Sequence, residues 1–345
     1  MTIKAYSSHF GGFRSRRWVA TLVTAWLSLL SLTAAASSEA DRLAVELYPA
    51  ILSGKAEKLQ AVFKDEPRID TPRTGPLRGP LAWKRFVLQE AQWLRGLGVR
   101  SESLRALKTT RGSGRVVHEM TMNLVANSSA VPFKLAVVVD EAGDAAAAVR
   151  VYYAYAQVSG DESFLRAAIL PPDPAIASKI AAPVRKYVDA IAASDQFAWK
   201  LFAPDGYFLG GGSVPLAGPA LKKFYAVLGA EPGGVPLRPA TVTCDGSTCA
   251  IEENLATWGS IVFERDTAGL AVYDYDAERG LLTGARVYDD LPENPFTVPG
   301  WIARNWKSIS AAMEKSGCIL SYRPAQDATP LRVRSELFAA PCDSR

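Results

Sequence analysis

The sequence predicts an α+β fold that is present twice in one chain. Two observations support this prediction: an internal repeat, and within each repeat a group of helices followed by a group of strands. The main matches lie 139 residues apart and pair Tyr48 with Tyr187, Phe63 with Phe202, and the run 76–80 with 215–219. A further match, at a spacing of 136, pairs the run 150–152 with 286–288, so the copies stay nearly in register to their ends.

Each copy has the same predicted order of elements. In the first copy, apolar periodicity indicates helices at 41–52, 56–63 and 81–97, and strands at 115–125, 132–139 and 147–157. In the second copy, helices are predicted at 182–193, 197–202 and 220–228, with a glycine loop at 210–212 and strands up to Tyr288. The domain assignment is 40–160 for the first domain, 170–179 for a proline-rich linker, 180–296 for the second domain and 297–345 for a C-terminal helix and tail.

Residues 1–36 are typical of an export signal peptide. Basic residues precede an apolar stretch at 18–32, and a small-residue run follows, which predicts cleavage after Ala36. The pair Arg16-Arg17 leaves twin-arginine and ordinary secretion both open, and an uncleaved anchor helix is the alternative. We therefore expect a periplasmic or secreted protein with no membrane segment after cleavage.

The charge of the mature chain argues against nucleic acid as a partner. The full sequence has 39 basic and 35 acidic residues, and the signal peptide holds four basic residues and no acidic ones. Cleavage therefore leaves 35 of each sign and no net charge. Nucleic-acid binding requires a basic surface, which a neutral chain does not predict.

The four cysteines predict two local disulfides. Cys244 and Cys249 flank a turn at Asp245-Gly246, and Cys318 and Cys342 enclose the C-terminal segment. Such pairs are typical of exported proteins. A metal site is the weaker alternative, because the mature chain has only His118 as a histidine and no Cys-x-x-Cys motif. No cofactor is expected.

Several features together resemble the NTF2-like fold, and more narrowly its SnoaL-like and ketosteroid isomerase branch. They are a first helix with a tyrosine, a short second helix, an acidic loop, a glycine turn before the third helix, and a closing meander with a Val-Asp-x-x-Gly turn. The resemblance covers nearly all of the mature chain, once per copy. It implies two cones, each with helices packed on a curved mixed or antiparallel sheet. It also implies a monomer in which the two cones form an internal pseudo-dimer.

The resemblance assigns two candidate catalytic residues to the first copy. Tyr48 matches the tyrosine that stabilises an enolate, and Asp70, nine residues before Gly79, matches the aspartate that moves the proton. The second oxyanion donor of the family would fall at Pro132 and is therefore missing. In the second copy Leu209 stands at the position of Asp70, so that copy is predicted to be catalytically silent. The alternative is that Tyr48 is a core residue and Asp70 a turn acid.

Further residues are candidates for the wall of the first cone. His118 shares a strand face with apolar neighbours by period-two alternation, and Tyr153 and Tyr155 share a face of the last strand. Phe63 and Phe86 complete the predicted ligand-binding set. Ordinary core packing is the alternative for these residues. In the second copy, the run 289–290 is interpreted as a solvated strand end.

Two functions follow from these residues. The first is an exported module that binds a small apolar ligand or a protein partner without catalysis. The second is a cofactor-independent isomerase, cyclase or dehydratase that acts on a small carbonyl compound, with Asp70 as base and Tyr48 as oxyanion donor. The missing donor and the degenerate second copy favour the binding module.

Overall fold

The computed structural model describes residues 38–126, 129–155, 166–210, 215–229, 233–258 and 261–289. The predicted signal peptide, most of the glycine loop, Asp290 and the tail with Cys318 and Cys342 lie outside these residues. None of the described helices is both long enough and apolar enough to cross a bilayer.

In the described part of the first domain, two α-helices accompany a six-stranded sheet with the order β2-β1-β6-β5-β4-β3. Its elements are α1 (Glu39–Leu52), a 3₁₀ helix (Ala56–Val62), β1 (Ile69–Thr71), β2 (Gly75–Leu77), α2 (Ala82–Gly96), a 3₁₀ turn (Ser101–Ser103), β3 (Arg105–Gly112), β4 (Arg115–Ala126), β5 (Ser129–Ala142) and β6 (Ala145–Tyr152).

The second domain repeats this arrangement with the strand order β8-β7-β12-β11-β10-β9. Its elements are a 3₁₀ helix (Pro174–Lys179), α3 (Ala182–Ala192), a 3₁₀ helix (Ala198–Leu201), β7 (Phe202–Leu209), β8 (Leu216–Ala217), α4 (Gly218–Leu228), β9 (Leu237–Cys244), β10 (Thr248–Trp258), β11 (Ile261–Asp276) and β12 (Leu281–Asp289).

The strand order confirms the predicted duplication of one α+β fold. In each copy four strands form an antiparallel meander, and an earlier strand joins the last of them in parallel, β1 beside β6 and β7 beside β12. The sequence prediction missed β1, β2 and β3. β1 and β2 have only three residues each, too few for a periodic pattern, and β3 is a mostly exposed edge strand without the alternation that marks a half-buried strand. The short helices after α1 and α3 are 3₁₀ helices rather than α-helices.

Each sheet has two faces with different partners. One face packs under its own helices and forms the interior of that domain. The other face packs against the sheet of the other domain through a third apolar cluster, which draws on both copies. This interface cluster consists of Val117, Ala136, Val138, Tyr152, Ala250, Ala268, Leu270, Val272 and Tyr288.

Two buried ion pairs cross this interface in a reciprocal arrangement. Arg150 of the first domain donates to Glu252 of the second over 2.9 Å. At the matching place, Arg286 of the second domain donates to Glu119 of the first over 3.0 Å. All four side chains are at most 6% exposed. In both pairs a second guanidinium nitrogen donates to the other carboxylate oxygen, which makes the pairs bidentate.

Tyrosine hydroxyls complete both ion pairs. Tyr152 donates to Glu252 over 2.8 Å, and Tyr288 donates to Glu119 over 2.7 Å. Burial on its own raises the pKa of Glu252, but the charge and hydrogen bonds of Arg150 outweigh burial and leave this pKa below its usual value. The carboxylate is therefore held ionised inside the interface.

The predicted disulfide between Cys244 and Cys249 is present. The two cysteines are paired residues of the β9–β10 hairpin, directly beside its turn. Gly246 occupies that turn with a φ of +97°, a backbone conformation that residues with a side chain rarely adopt.

We predict that Arg150→Ala lowers the free energy of unfolding by about 3–5 kcal/mol, because it removes the bidentate partner of the buried Glu252 and leaves it only the more distant charge of Arg115, 3.8 Å away. Urea unfolding of the mature protein measures this loss. Arg42→Ala is the matched control: Arg42 pairs with Glu39 at the surface, where the two side chains are 43% and 46% exposed, and its loss should cost about 0.5 kcal/mol or less. Equal losses for the two variants would contradict a structural role for the buried pair.

We also predict that the exported protein contains no free thiol. Cys244 is bonded to Cys249, and the pairing of Cys318 with Cys342 remains a prediction from the sequence. Thiol titration of unfolded, unreduced protein should detect none of the four cysteines, and reduction should expose all of them. Two reactive thiols without reductant would exclude the second bond, and four would exclude both bonds and the oxidising compartment.

Candidate functional site

A buried carboxylate, Glu90, forms the polar centre of the first domain's interior. Glu90 lies on α2 and is fully buried. One of its oxygens accepts a hydrogen bond of 2.8 Å from the Tyr48 hydroxyl on α1, and the other accepts one of 3.2 Å from Arg73. A tyrosine, a glutamate and an arginine from three separate segments therefore meet in one place.

Helical periodicity explains why two of these side chains point inward. Tyr48 lies one turn after Ala44 on the buried stripe of α1. Glu90 lies between Phe86 and Trp93 on the buried stripe of α2, where it is the only charged residue. Both stripes belong to the interior of the first domain, so the two polar groups can meet there.

Arg73 reaches the same place from the turn between β1 and β2. The turn is held by Thr71, whose hydroxyl oxygen accepts a hydrogen bond of 3.1 Å from the backbone N–H of Thr74. The Arg73 guanidinium lies 5.7 Å from the centre of the Trp93 ring, a cation–π contact. Its Nε is buried and finds no hydrogen-bond acceptor among the described residues.

Charge is balanced in this group, but one donor is left over. Burial, followed by the nearby charge of Glu90, raises the pKa of Tyr48 well above its ordinary value, so the phenol is a neutral donor at physiological pH. Arg73 neutralises Glu90 within the same apolar surroundings. The arrangement can therefore offer an N–H of Arg73 to a further acceptor without adding a net charge.

Aromatic rings surround this polar group. The Trp93 ring stacks on that of Tyr153 with centres 5.1 Å apart, and Phe133 lies 5.6 Å from Tyr153. Tyr155 is the next ring, 6.5 Å from Tyr153. Both tyrosines of the predicted ligand-binding set act electrostatically on the arginine of the group, which places them beside it.

The two phenylalanines of the predicted set lie around Trp83. Phe63 contacts the Trp83 ring at 5.4 Å and Phe86 contacts it at 5.9 Å. The Trp83 indole N–H donates to the carbonyl of Ala56 over 3.1 Å, which fixes the ring. These residues belong to the same interior as Tyr48.

The structure does not bring Asp70 and Tyr48 together. Asp70 pairs in register with Arg150, so its side chain lies on the interface face of the sheet, whereas Tyr48 lies in the interior. Asp70 accepts a hydrogen bond of 2.6 Å from Arg166. Arg166 in turn covers the ring of Tyr152 in the interface. The contact that the structure gives Asp70 is therefore an ion pair at the interface.

His118 lies on the same strand face as its apolar neighbours, as the alternation in the sequence predicted. Its strand neighbours Val116 and Met120 belong to the first domain's interior. The ring Nδ1 lies 2.7 Å from the Thr109 hydroxyl. Burial, assisted by the charge of Arg111, lowers the pKa of His118 to about 4. The imidazole is consequently neutral at physiological pH.

The second domain has a different interior. At the spacing of 139, Glu90 corresponds to Gly229, which has no side chain. The Tyr187 hydroxyl instead pairs with the Tyr225 hydroxyl, 2.7 Å away. The hydrogen-bond partner of the retained tyrosine is thus a phenol rather than the carboxylate that Tyr48 has.

One expectation for the second domain is wrong. Asp289 is not a solvated strand end, because it is the last residue of β12 and is only 7% exposed. Its register partner is Gly269, which has no side chain and leaves room on that face of the sheet for the carboxylate. The sequence pattern could not reveal this, since a strand end next to Asp290 looks polar.

Sequence reasoning also missed Glu90 and Arg73. A signal for Glu90 was present, because a single acid interrupts an otherwise apolar helical stripe between Phe86 and Trp93. Arg73 had no such signal, since its inward direction depends on how the short turn after β1 folds. Among the described residues, no group of three or more histidine, cysteine, aspartate or glutamate side chains is arranged to hold a metal ion.

No protein-family model and no curated protein sequence matches the chain. Among solved structures, it is similar to a protein described as a putative SnoaL-like polyketide cyclase from Shewanella putrefaciens, with 14% identity, a TM-score of 0.28, and coverage of 43% of this chain and 97% of the other. A protein described as a putative polyketide cyclase from Sinorhizobium meliloti is 18% identical, with a TM-score of 0.27 and coverage of 32% and 97%.

A further similar structure is an NTF2-like protein of unknown function from Cytophaga hutchinsonii, with 14% identity, a TM-score of 0.25, and coverage of 31% of this chain and 87% of the other. At these identities and TM-scores the likenesses carry no information on activity. Each half of the described chain is an α+β domain, and both sheets have six strands in the same order, which is the duplicated arrangement that the sequence resemblance implied.

We predict that His118 destabilises the protein as the pH falls from its ordinary pKa of 6.5 to its folded pKa of about 4. Over this range the unfolded chain binds a proton that the folded chain does not. Urea unfolding at several pH values should show the loss, and His118→Gln should flatten the curve there. NMR titration of the folded ring provides the control, and an ordinary midpoint near 6.5 would contradict the prediction.

Proposed function

We propose that the first domain binds a small apolar carbonyl compound, with the carbonyl oxygen accepting a hydrogen bond from Arg73. The observation that supports this most directly is the buried Nε of Arg73, which has no acceptor among the described residues. A buried donor without a partner costs about 1–3 kcal/mol, and a ligand oxygen would remove that cost.

The surroundings of Arg73 favour a neutral ligand with an apolar body. Glu90 already balances the guanidinium charge, so a carboxylate ligand would bring an uncompensated charge into an apolar interior. The stacked rings of Trp93 and Tyr153 make these surroundings apolar, which suits an aromatic or aliphatic body. A neutral carbonyl compound satisfies both conditions.

Catalysis on such a compound is the second candidate function. An isomerase, cyclase or dehydratase would need a base near the carbon that loses a proton. The sequence predicts Asp70 as this base, with Tyr48 as donor, but Asp70 is bonded to Arg166 on the interface face and would have to leave that ion pair to act in the interior. Glu90 is a second candidate for the base, because its carboxylate lies 2.8 Å from the Tyr48 hydroxyl.

We further propose that the protein is exported and is a monomer whose two domains form an internal pseudo-dimer. The Cys244–Cys249 disulfide is consistent with an oxidising compartment. The reciprocal arginine–glutamate pairs of the interface support the pseudo-dimer. In such a pair of contacts each copy uses the same surface, as the subunits of a twofold dimer do.

We predict that Arg73→Met weakens the binding of acetophenone by about tenfold or more, because a hydrogen bond from a charged donor contributes about 1.5–3 kcal/mol. Ethylbenzene, which lacks the oxygen, should bind the wild type and the variant alike. Titration followed by NMR measures both affinities. Arg85→Met, on the exposed side of α2, is the matched control and should change neither.

The same ligand separates binding from catalysis. Enolisation of acetophenone in D₂O places deuterium on its methyl group, so deuterium uptake above background reports proton transfer. If Asp70 is the base, Asp70→Asn should slow uptake about 100-fold or more, whereas Glu90→Gln should do so if Glu90 is the base. Tyr187→Phe should leave uptake unchanged. Acetophenone binding that is insensitive to Arg73 would overturn the proposed site, and binding without uptake would leave the protein a binding module.

A further inference from the structure

The interior of the second domain contains two carboxyl groups on either side of a residue with no side chain. In the register of the sheet, Glu253 on β10 pairs with Gly269 on β11, and Gly269 pairs with Asp289 on β12. A methyl group placed on Gly269 would lie 3.4 Å from Cβ of Asp289 and 3.7 Å from Cγ of Glu253. Both acidic side chains therefore border one small notch above Gly269.

Glu253 points into the interior, and its carboxyl group is not fully satisfied there. Its strand neighbours on the same face, Ile251 and Leu255, are core residues of the second domain. Glu253 is 4% exposed, and its Oε2 has no hydrogen-bond partner among the described residues. Burial, followed by the charge of Asp289, raises the pKa of Glu253 well above its ordinary value. A positively charged donor would give Oε2 a hydrogen bond and would stabilise the ionised form of the carboxyl group.

Tyrosine rings lie near this notch. The rings of Tyr187 and Tyr273 are 5.5 Å apart, and the charge of Glu253 acts on both phenols. The Tyr187 ring also contacts Phe202 and Tyr225. These aromatic surroundings suit an aromatic ligand that carries a cation. Arg286, a buried cation of the same domain, is engaged on the interface face, where it donates to Glu119. It is therefore not directed at the notch.

One further basic group lies close to Asp289, but in the interface. Lys134 of the first domain donates to the backbone carbonyl of Val287 and lies 4.5 Å from the centre of the Tyr288 ring. Burial lowers the pKa of Lys134 to about 7, so the amine is only partly charged at neutral pH. Lys134 does not donate to Oε2 of Glu253. Among the described residues, no other group donates to this oxygen either, so it can accept a hydrogen bond from a ligand.

We propose that the second domain binds a small aromatic primary amine as its ammonium ion. The ammonium group occupies the notch above Gly269 and donates to Oε2 of Glu253, and the aromatic ring lies against Tyr187 and Tyr273. This site is separate from the carbonyl site of the first domain and does not depend on it. The predicted silence of the second copy concerned only proton transfer, so a binding role is compatible with Leu209 at the position of Asp70.

Benzylammonium and its neutral analogue benzyl alcohol test the site in the full mature protein. Benzylammonium should bind once per chain and perturb the NMR amide signals of Glu253 and Gly269, and benzyl alcohol should bind at least about tenfold more weakly. Glu253→Gln keeps the shape but cannot ionise beside the ammonium group, and should weaken benzylammonium binding about 10- to 100-fold. Glu278→Gln, in an exposed turn, is the matched control and should leave it unchanged.

Gly269→Ala provides a second variant that fills the notch and keeps both acids. Its added methyl group meets its neighbours at ordinary contact distances, so the variant should fold and lose benzylammonium binding. Arg73→Met should not affect this binding, which separates the site from that of the first domain. The proposal is overturned if benzyl alcohol binds as tightly as benzylammonium, if Gly269→Ala binds benzylammonium normally, or if the perturbed amides lie elsewhere.

Discussion

The reciprocal ion pairs between the two sheets are the constraint on which the rest of the structure depends. Arg150 and Glu252, and Arg286 and Glu119, place four charges where water is excluded. Removing such charges from water costs several kcal/mol each, and only close bidentate geometry with further hydrogen bonds compensates for it. The pairs therefore tolerate a single relative position of the two sheets, whereas the apolar contacts around them would tolerate a slip.

This constraint leaves the two interiors free to differ. Because each sheet uses one face for the interface, its other face and its helices form a core of their own. A change in one interior does not have to be matched in the other. Glu90 and Arg73 form a charge-balanced group in the first interior, while Glu253 and Asp289 make the second interior acidic. Duplication has thus preserved the interface more closely than the interiors.

The matched positions Asp70 and Leu209 show how the two copies differ at the interface itself. A cation covers the interface tyrosine of each copy: Arg166 lies over Tyr152 of the first copy, and Lys134 of the first domain lies over Tyr288 of the second. Arg166 also donates to the Asp70 carboxylate, and the Lys134 ammonium lies 3.4 Å from the backbone carbonyl of Leu209. The guanidinium of Arg166 has enough N–H groups to donate to a carboxylate as well as to a backbone carbonyl. The amine of Lys134 donates to backbone carbonyl oxygens instead, so it needs no acidic side chain at position 209.

The sequence by itself determined the duplication, the helices, the later strands of the meander, the inward direction of Tyr48 and His118, and the disulfide of the β9–β10 hairpin. Each of these depends on local periodicity or on residues close in the chain. Only the tertiary structure decided the partners of the polar residues. Strand register placed Asp70 on the interface face and Asp289 in the interior, because one step along a strand reverses the direction of a side chain. The site around Glu90 likewise depends on packing between segments that are distant in the sequence, and no local pattern specifies that packing.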